Sequence, residues 1–319
     1  MTYYFGLSEF ESSYGNESIS FIVSNLKDKI VKMYFLFLSY ILKIINDINI
    51  EMQSEEPRMH IFLPRLKFLF NHVARNFIKK SALDSYSCVN DIEFNISDNH
   101  IPIKDIYCGS NCELYYEAEK ICQSDIIDFK SNTKKFYITF CESLLRKIDF
   151  RNETLNYLTK FSPDNVLSGN TNNIIPLIFK IFPEKELDLA ETINSEYRAL
   201  ADHEGLKQYM KSSISEFWVN VEQIKNELNN LMFGNICRIA KGILSIPHSS
   251  ANVERIFSVQ NLIKTKCRNR LAVDTCSALL QTRDLIKSKN NCCHSYKIGH
   301  ELTKKNIPNE NPNEEELLV

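Results

Sequence analysis

Residues 247–258 read PHSSANVERIFS and directly follow the apolar residues Ile243, Leu244 and Ile246. Pro247 has no backbone N–H and ends a helix rather than continuing it. Ser249 and Ser250 are both of the type that caps a helix start by accepting a backbone N–H. The pattern predicts that one segment ends at Pro247 and a new helix opens at Ala251. On that helix Val253, Ile256, Phe257 and Ile263 share one face within about 120°. Glu254 and Ser258, four residues apart, lie on another face, with Asn261 close by. Glu254 therefore stands in the first turn and off the apolar stripe, where the helix dipole favours an ionised carboxylate. Such a carboxylate serves either as dipole compensation or as a ligand for a hard cation such as Mg²⁺ or Mn²⁺.

Around this stretch the composition is that of a packed, helical protein. The 319 residues are 44% apolar and 24% charged, with only 8 Gly and 9 Pro, too few chain breakers for an all-β sandwich with many tight turns. The net charge of −2 hides an uneven spread. Residues 234–305 carry 13 Lys and Arg against 4 Asp and Glu, whereas residues 1–233 carry 25 against 32. A basic block in an acidic chain suits a surface that meets polyanions, although a solvated face gives the same pattern. The N-terminal MTYYFGLSEF has neither the basic nor the apolar region of a signal peptide. The ten cysteines are accordingly expected to be reduced thiols. Cys108, Cys112 and Cys122 lack a well-spaced fourth ligand, and Cys292, Cys293, His294 and His300 lack zinc-ligand spacing, so no metal site is assigned to them.

Upstream, MYFLFLSYIL (33–42) is short for a membrane span. With Ile30, Tyr34, Phe37, Ile41, Ile44 and Ile48 at 4-3 spacing it predicts a core helix buried nearly all round. Pro57 is expected to open a second helix, with Leu66, Leu69, Phe70, Val73 and Phe77 on one face. Residues 84–111 are expected to form a loop with one short strand around Ile92, Phe94 and Ile96. A long helix over 112–148 and shorter ones near 151–160 and 174–201 follow, the latter two separated by a loop over 168–173. Met210, Ile214, Phe217, Val221, Ile224, Leu228 and Leu231 repeat 4-3-4-3-4-3 and predict one helix over 206–232 lying on an intramolecular core. Trp218 is assigned to packing.

PHSSANVERIFS, followed by RNRL at 268–271 and ALL at 278–280, resembles the C-terminal dimerisation region of hAT-superfamily transposases. The approach segment also fits, with Phe217-Trp218 and then Ile239, Ala240, Ile243 and Leu244 before the proline. The stretch EMQSEEPRMHIFLPRL (51–66) is similar to helices of that family's insertion domain. The resemblance implies a mainly α chain. It would hold part of the helical insertion of an RNase H-like transposase and the dimerisation helices, with the catalytic sheet largely absent. Implied regions are 1–205 (insertion-like), 206–289 (dimerisation) and 290–319 (a disordered tail).

In the family three acids bind divalent metal for DNA strand cleavage and transfer, and the last of them falls on Glu254. No strand pattern in residues 1–50 holds the two partner aspartates, since Asp28 and Asp47 lie in a helical region, and the family's zinc-finger module is missing. The chain is therefore expected to be catalytically incomplete and to need no cofactor, Mg²⁺ or Mn²⁺ entering only in a complete transposase. Its expected partners are a second copy, through Val253, Ile256, Phe257, Val273, Cys276, Leu279 and Leu280, and DNA, bound without sequence specificity through Lys264, Lys266, Arg268 and Arg270. No membrane is expected, and the nucleus is the expected location. Two alternatives stay open: the C-terminal part of an active transposase that contributes Glu254, and a helical interaction scaffold without a nucleic-acid role.

Overall fold

The computed structural model describes residues 21, 24–94, 96–169, 173–181, 189–265, 268–289 and 291–297. Among them the chain is mainly helical and forms no strand, only isolated bridges between Ile78 and His100 and between Lys225 and Leu231. It divides into two compact units, residues 1–249 and 250–319.

In the first unit, α1 (Lys29–Met52) starts where Asp28 accepts the Ile30 N–H at 2.7 Å as its N-cap. It packs against α2 (Met59–Ala74), α4 (Ser110–Ala118) and α5 (Gln123–Lys147). Met33, Phe37 and Ile41 are buried there with Phe70 and Val73 of α2 and Phe129, Tyr137 and Cys141 of α5. The Phe37 ring meets those of Phe136 and Tyr137 edge to face at 5.4 and 5.6 Å, the arrangement that aromatic quadrupoles favour.

This helix departs from its expected all-round burial. Phe35, Leu42 and Ile50 are exposed, because packing covers only the Met33–Phe37–Ile41 side. At 24 residues it is also far longer than the apolar run from which it was read, and by length and mean hydropathy it reaches the range of a membrane span. The second helix begins at Met59 rather than at Pro57 and carries Pro64 in its interior.

Between α2 and α4 lie the short α3 (Lys80–Ser85) and three single turns of 3₁₀ helix, in place of the expected strand. Gly109, which precedes α4, has φ 95°, and a Cβ there would stand 2.8 Å from the Tyr40 side chain, so only glycine fits. The expected single helix over 112–148 is broken in two. The Ile121 N–H bonds to the Tyr116 carbonyl and the Lys120 N–H to that of Glu117, which closes α4 with Lys120 left-handed at φ 50°. That pairing is a Schellman motif with lysine where glycine is usual.

A second core of the same unit gathers α6 (Glu153–Leu158), the short α7 (Pro163–Leu167), α8 (Ile175–Ile181), α9 (Ala190–Ala199), α10 (Ile214–Glu222) and α11 (Gly234–Leu244). Trp218 is fully buried there and donates its indole N–H to the Phe161 carbonyl at 3.1 Å, the packing role expected of it. The expected boundary at 205/206 falls inside this core, since Phe217, Trp218, Ile236 and Ile243 share it with Phe161, Ile193 and Tyr197.

No continuous helix spans 206–232. Ser213 accepts the Glu216 N–H at 3.2 Å and so starts α10 in the middle of the apolar repeat. Asn226 Oδ1 then accepts the N–H groups of Leu228 and Asn230, with Asn229 left-handed at φ 61°. Such short-range side-chain bonds offer the backbone an alternative to the helix. Leu228 consequently ends in solvent, 80% exposed.

Candidate dimerisation surface

The approach to the motif is tied down from α9, whose Glu196 carboxylate accepts the Ile236 N–H at 2.8 Å and the Asn235 amide at 2.7 Å at the start of α11. That helix stops at Leu244, before Pro247, as the sequence requires. His248 then meets the Ser54 carbonyl at 3.2 Å through Nε2.

In the second unit α12 (Ala251–Ile263) begins at the expected residue, with Ser250 at the N-cap. The mechanism differs from the expected one. Ser250 is in helical conformation and accepts no backbone N–H through its side chain; its hydroxyl donates to the Glu254 carboxylate at 2.6 Å. The Ser258 hydroxyl donates to the Glu254 carbonyl at 3.1 Å. Glu254 is thus an exposed carboxylate held by its own helix. Among the described residues no group of three or more His, Cys, Asp or Glu side chains is placed to hold a metal ion. The residues around Glu254 therefore do not fit the metal pair of a strand-transferring site.

A turn through Arg268–Arg270 leads to α13 (Val273–Ser288), which packs on α12. Among the described residues of this unit only Cys276 is buried. Val253, Ile256, Phe257, Val273 and Leu279 are exposed, Phe257 at 58% and Val273 at 81%, and Leu280 is half-buried. Cys276 is the exception to the expected contact surface. It is buried and cannot present its side chain to a partner. Two further exposed residues, Leu262 and Leu285, were not anticipated. Leu262 lies about half a turn round the helix from Val253, so a search for a single apolar stripe passes over it. Its signal is an apolar side chain on the otherwise polar face.

A pair of helices with one buried side chain among its described residues has little core of its own, and short helices draw their stability from packed apolar faces. Lys264, Arg268 and Arg270 are all exposed around the turn, the latter two beside a shallow cleft that Leu271 and Thr275 complete. Lys266 lies outside the described residues.

The family model of the hAT C-terminal dimerisation region matches residues 196–286, from Glu196 of α9 to Ile286 of α13. Over that span the chain is similar to the hAT C-terminal dimerisation region. The hAT region crosses the division between the units: its first part builds the second core of unit one, and its last part is the α12–α13 pair. The chain is also 28% identical over 141 residues to the exodeoxyribonuclease 7 large subunit of Mycoplasma mycoides subsp. mycoides SC. That alignment covers 36% of this chain and 30% of the subunit, so the chain spans under a third of that relative's length. No solved structure matches the chain.

Proposed function

We propose that this is a transposase-derived protein that acts by self-association through α12 and α13, touches DNA weakly and without sequence preference, and carries out no strand transfer of its own. The observation that carries the reading is the α12–α13 pair, which among its described residues buries only Cys276 while Phe257, Val273 and Leu279 stand in solvent inside a dimerisation region. Large apolar side chains left in solvent within such a region fit an interaction site. Lys264, Lys266, Arg268 and Arg270 would contact phosphates, for which an exposed basic turn suffices. Catalytic incompleteness is supported by the lack, among the described residues, of any group of three or more His, Cys, Asp or Glu side chains placed to hold a metal ion. Mg²⁺ or Mn²⁺ would matter only in a complete transposase, and the reading implies a nuclear protein. The name of the mycoplasma relative concerns that protein and assigns no residue here. Light scattering on the purified chain tests the proposal: a dimer or larger species at micromolar concentration is expected, and a monodisperse monomer would overturn it.

A further inference from the structure

α1 is apolar on two sides, and the core uses one of them. Met33, Phe37 and Ile41 are buried, the Met33 carbonyl accepting the Cys112 thiol at 3.6 Å and the Phe37 ring meeting that of Phe129 on α5. Val31, Phe35, Leu38, Leu42 and Ile45 repeat 4-3-4-3. At 3.6 residues per turn they share an arc of about 80°, centred about 120° round the helix from Phe37. Phe35 is 56% exposed and Leu42 51%, and the other three are half-buried. No charged residue interrupts this stripe, which is how a helix with one side in the core still reaches the mean hydropathy of a membrane span. Large apolar side chains aligned in water on a second side mark a surface that something covers.

The rim of the stripe is basic. Lys32 stands three residues before Phe35, its ammonium over the Tyr115 ring at 4.5 Å, and Lys43 directly follows Leu42. Both are exposed, and among the described residues neither forms an ion pair, whereas Lys29 is neutralised by Glu119 at 2.9 Å. Asp47 lies about 160° round the helix from the centre of the stripe, on the α2 side with Glu51, which pairs with Arg65. These charges argue against a second α1 as the occupant. Laid antiparallel with Val31 on Ile45 and Phe35 on Leu42, two copies would press Lys32 against Lys43 along the shared rim, a like-charge contact. The stripe calls for an apolar segment that carries carboxylates.

The chain carries such a segment. Residues 1–20 lie outside the described residues. Their sequence holds Glu9, Glu11 and Glu17, no Lys or Arg, and the apolar Tyr3, Tyr4, Phe5, Leu7 and Phe10. We propose that residues 3–17 dock on the α1 stripe of their own chain, with aromatic side chains on Phe35, Leu38 and Leu42 and glutamates at Lys32 and Lys43. The eleven residues from Phe10 to Phe21 span at most about 36 Å, and the stripe from Val31 to Ile45 is about 21 Å long, so the tether reaches along it. Such a tether keeps the segment at a roughly millimolar effective concentration, at which a weak contact suffices. The opposite charges of rim and segment set its position. The stripe belongs to the first unit, and its use does not depend on self-association through α12 and α13.

The test treats a mixture of unlabelled and isotope-labelled full chain with a water-soluble carbodiimide, which joins a carboxylate to a lysine amine with loss of water, and maps the links by mass spectrometry. Glu9 or Glu11 is expected to link to Lys43 within one isotope population. Replacing Phe35 and Leu42 by Ser, both exposed positions, should cut the yield of that link about tenfold. Replacing Tyr3, Tyr4 and Phe5 by Ser should do the same without touching α1, and circular dichroism checks that both variants keep their helix content. Absence of the link, links only between the isotope populations, or an unchanged yield in the Tyr3, Tyr4 and Phe5 variant would overturn the proposal. Cosedimentation of the unlinked chain with phosphatidylserine vesicles would give the stripe to a membrane and overturn it as well.

Discussion

Replacing Phe257 by alanine separates a dimer surface from a merely exposed helix. The ring is 58% exposed, so its loss removes little from the monomer. Burying a Phe side chain fully is worth up to about 3 kcal/mol, and the exposed share leaves roughly 1.7 kcal/mol to be gained at a contact. In a two-fold symmetric dimer the same residue is counted on both subunits, which brings the loss to about 3 kcal/mol and the dissociation constant up by a few hundredfold. Sedimentation velocity across a concentration series reads that shift, and far-UV circular dichroism checks that helix content is unchanged. An unaltered dissociation constant in a folded Phe257→Ala protein would refute the assignment of this face. So would loss of helix at the same denaturant midpoint shift, because that would make Phe257 part of a core.

Simultaneous replacement of Lys264, Lys266, Arg268 and Arg270 by alanine should abolish gel-shift binding to DNA at low salt and flatten the slope of log affinity against log salt; unchanged affinity would leave the basic block a solvated face. The purified chain should not nick supercoiled DNA in Mg²⁺ or Mn²⁺, and nicking that vanishes in Glu254→Gln would reverse that expectation. Lys120→Gly should stabilise the protein by about 0.5–1 kcal/mol in urea unfolding, because glycine occupies the left-handed cap position without Cβ strain. His60 binds a proton in the unfolded chain near its ordinary 6.5 but in the folded chain only near 4. Stability is therefore full above pH 6.5 and falls as pH drops towards 4, by about 1.4 kcal/mol per unit; His60→Gln should remove that dependence in denaturant midpoints measured across the window.

What the sequence determined by itself was carried by local, periodic or punctuating signals. Pro247 and Ser250 placed the α12 start at Ala251. The 4-3 spacing of Ile30, Tyr34, Phe37, Ile41, Ile44 and Ile48 placed the helix α1 but not which side of it is covered, and the PHSSANVERIFS–RNRL pattern gave the hAT resemblance that the family match at 196–286 bears out. The helix breaks were also written locally, at Ser213, Asn226 and the cap at Lys120, but a 4-3 apolar repeat reads the same whether or not the backbone turns between its members.

Only the tertiary structure decided which apolar residues a neighbour covers. Phe35 and Phe37 are equally apolar and two residues apart, yet one is exposed and the other buried against the α5 rings. Cys276 and Val273 on α13 differ in the same way, and the first is withdrawn from the contact surface for that reason. A cleft walled by Arg58 and His60 had no signal in the sequence, because its other wall arrives from Lys211–Ile214, some 150 residues away. Burial is a property of pairs of elements, and the pairs are made by packing across that distance rather than by any local pattern.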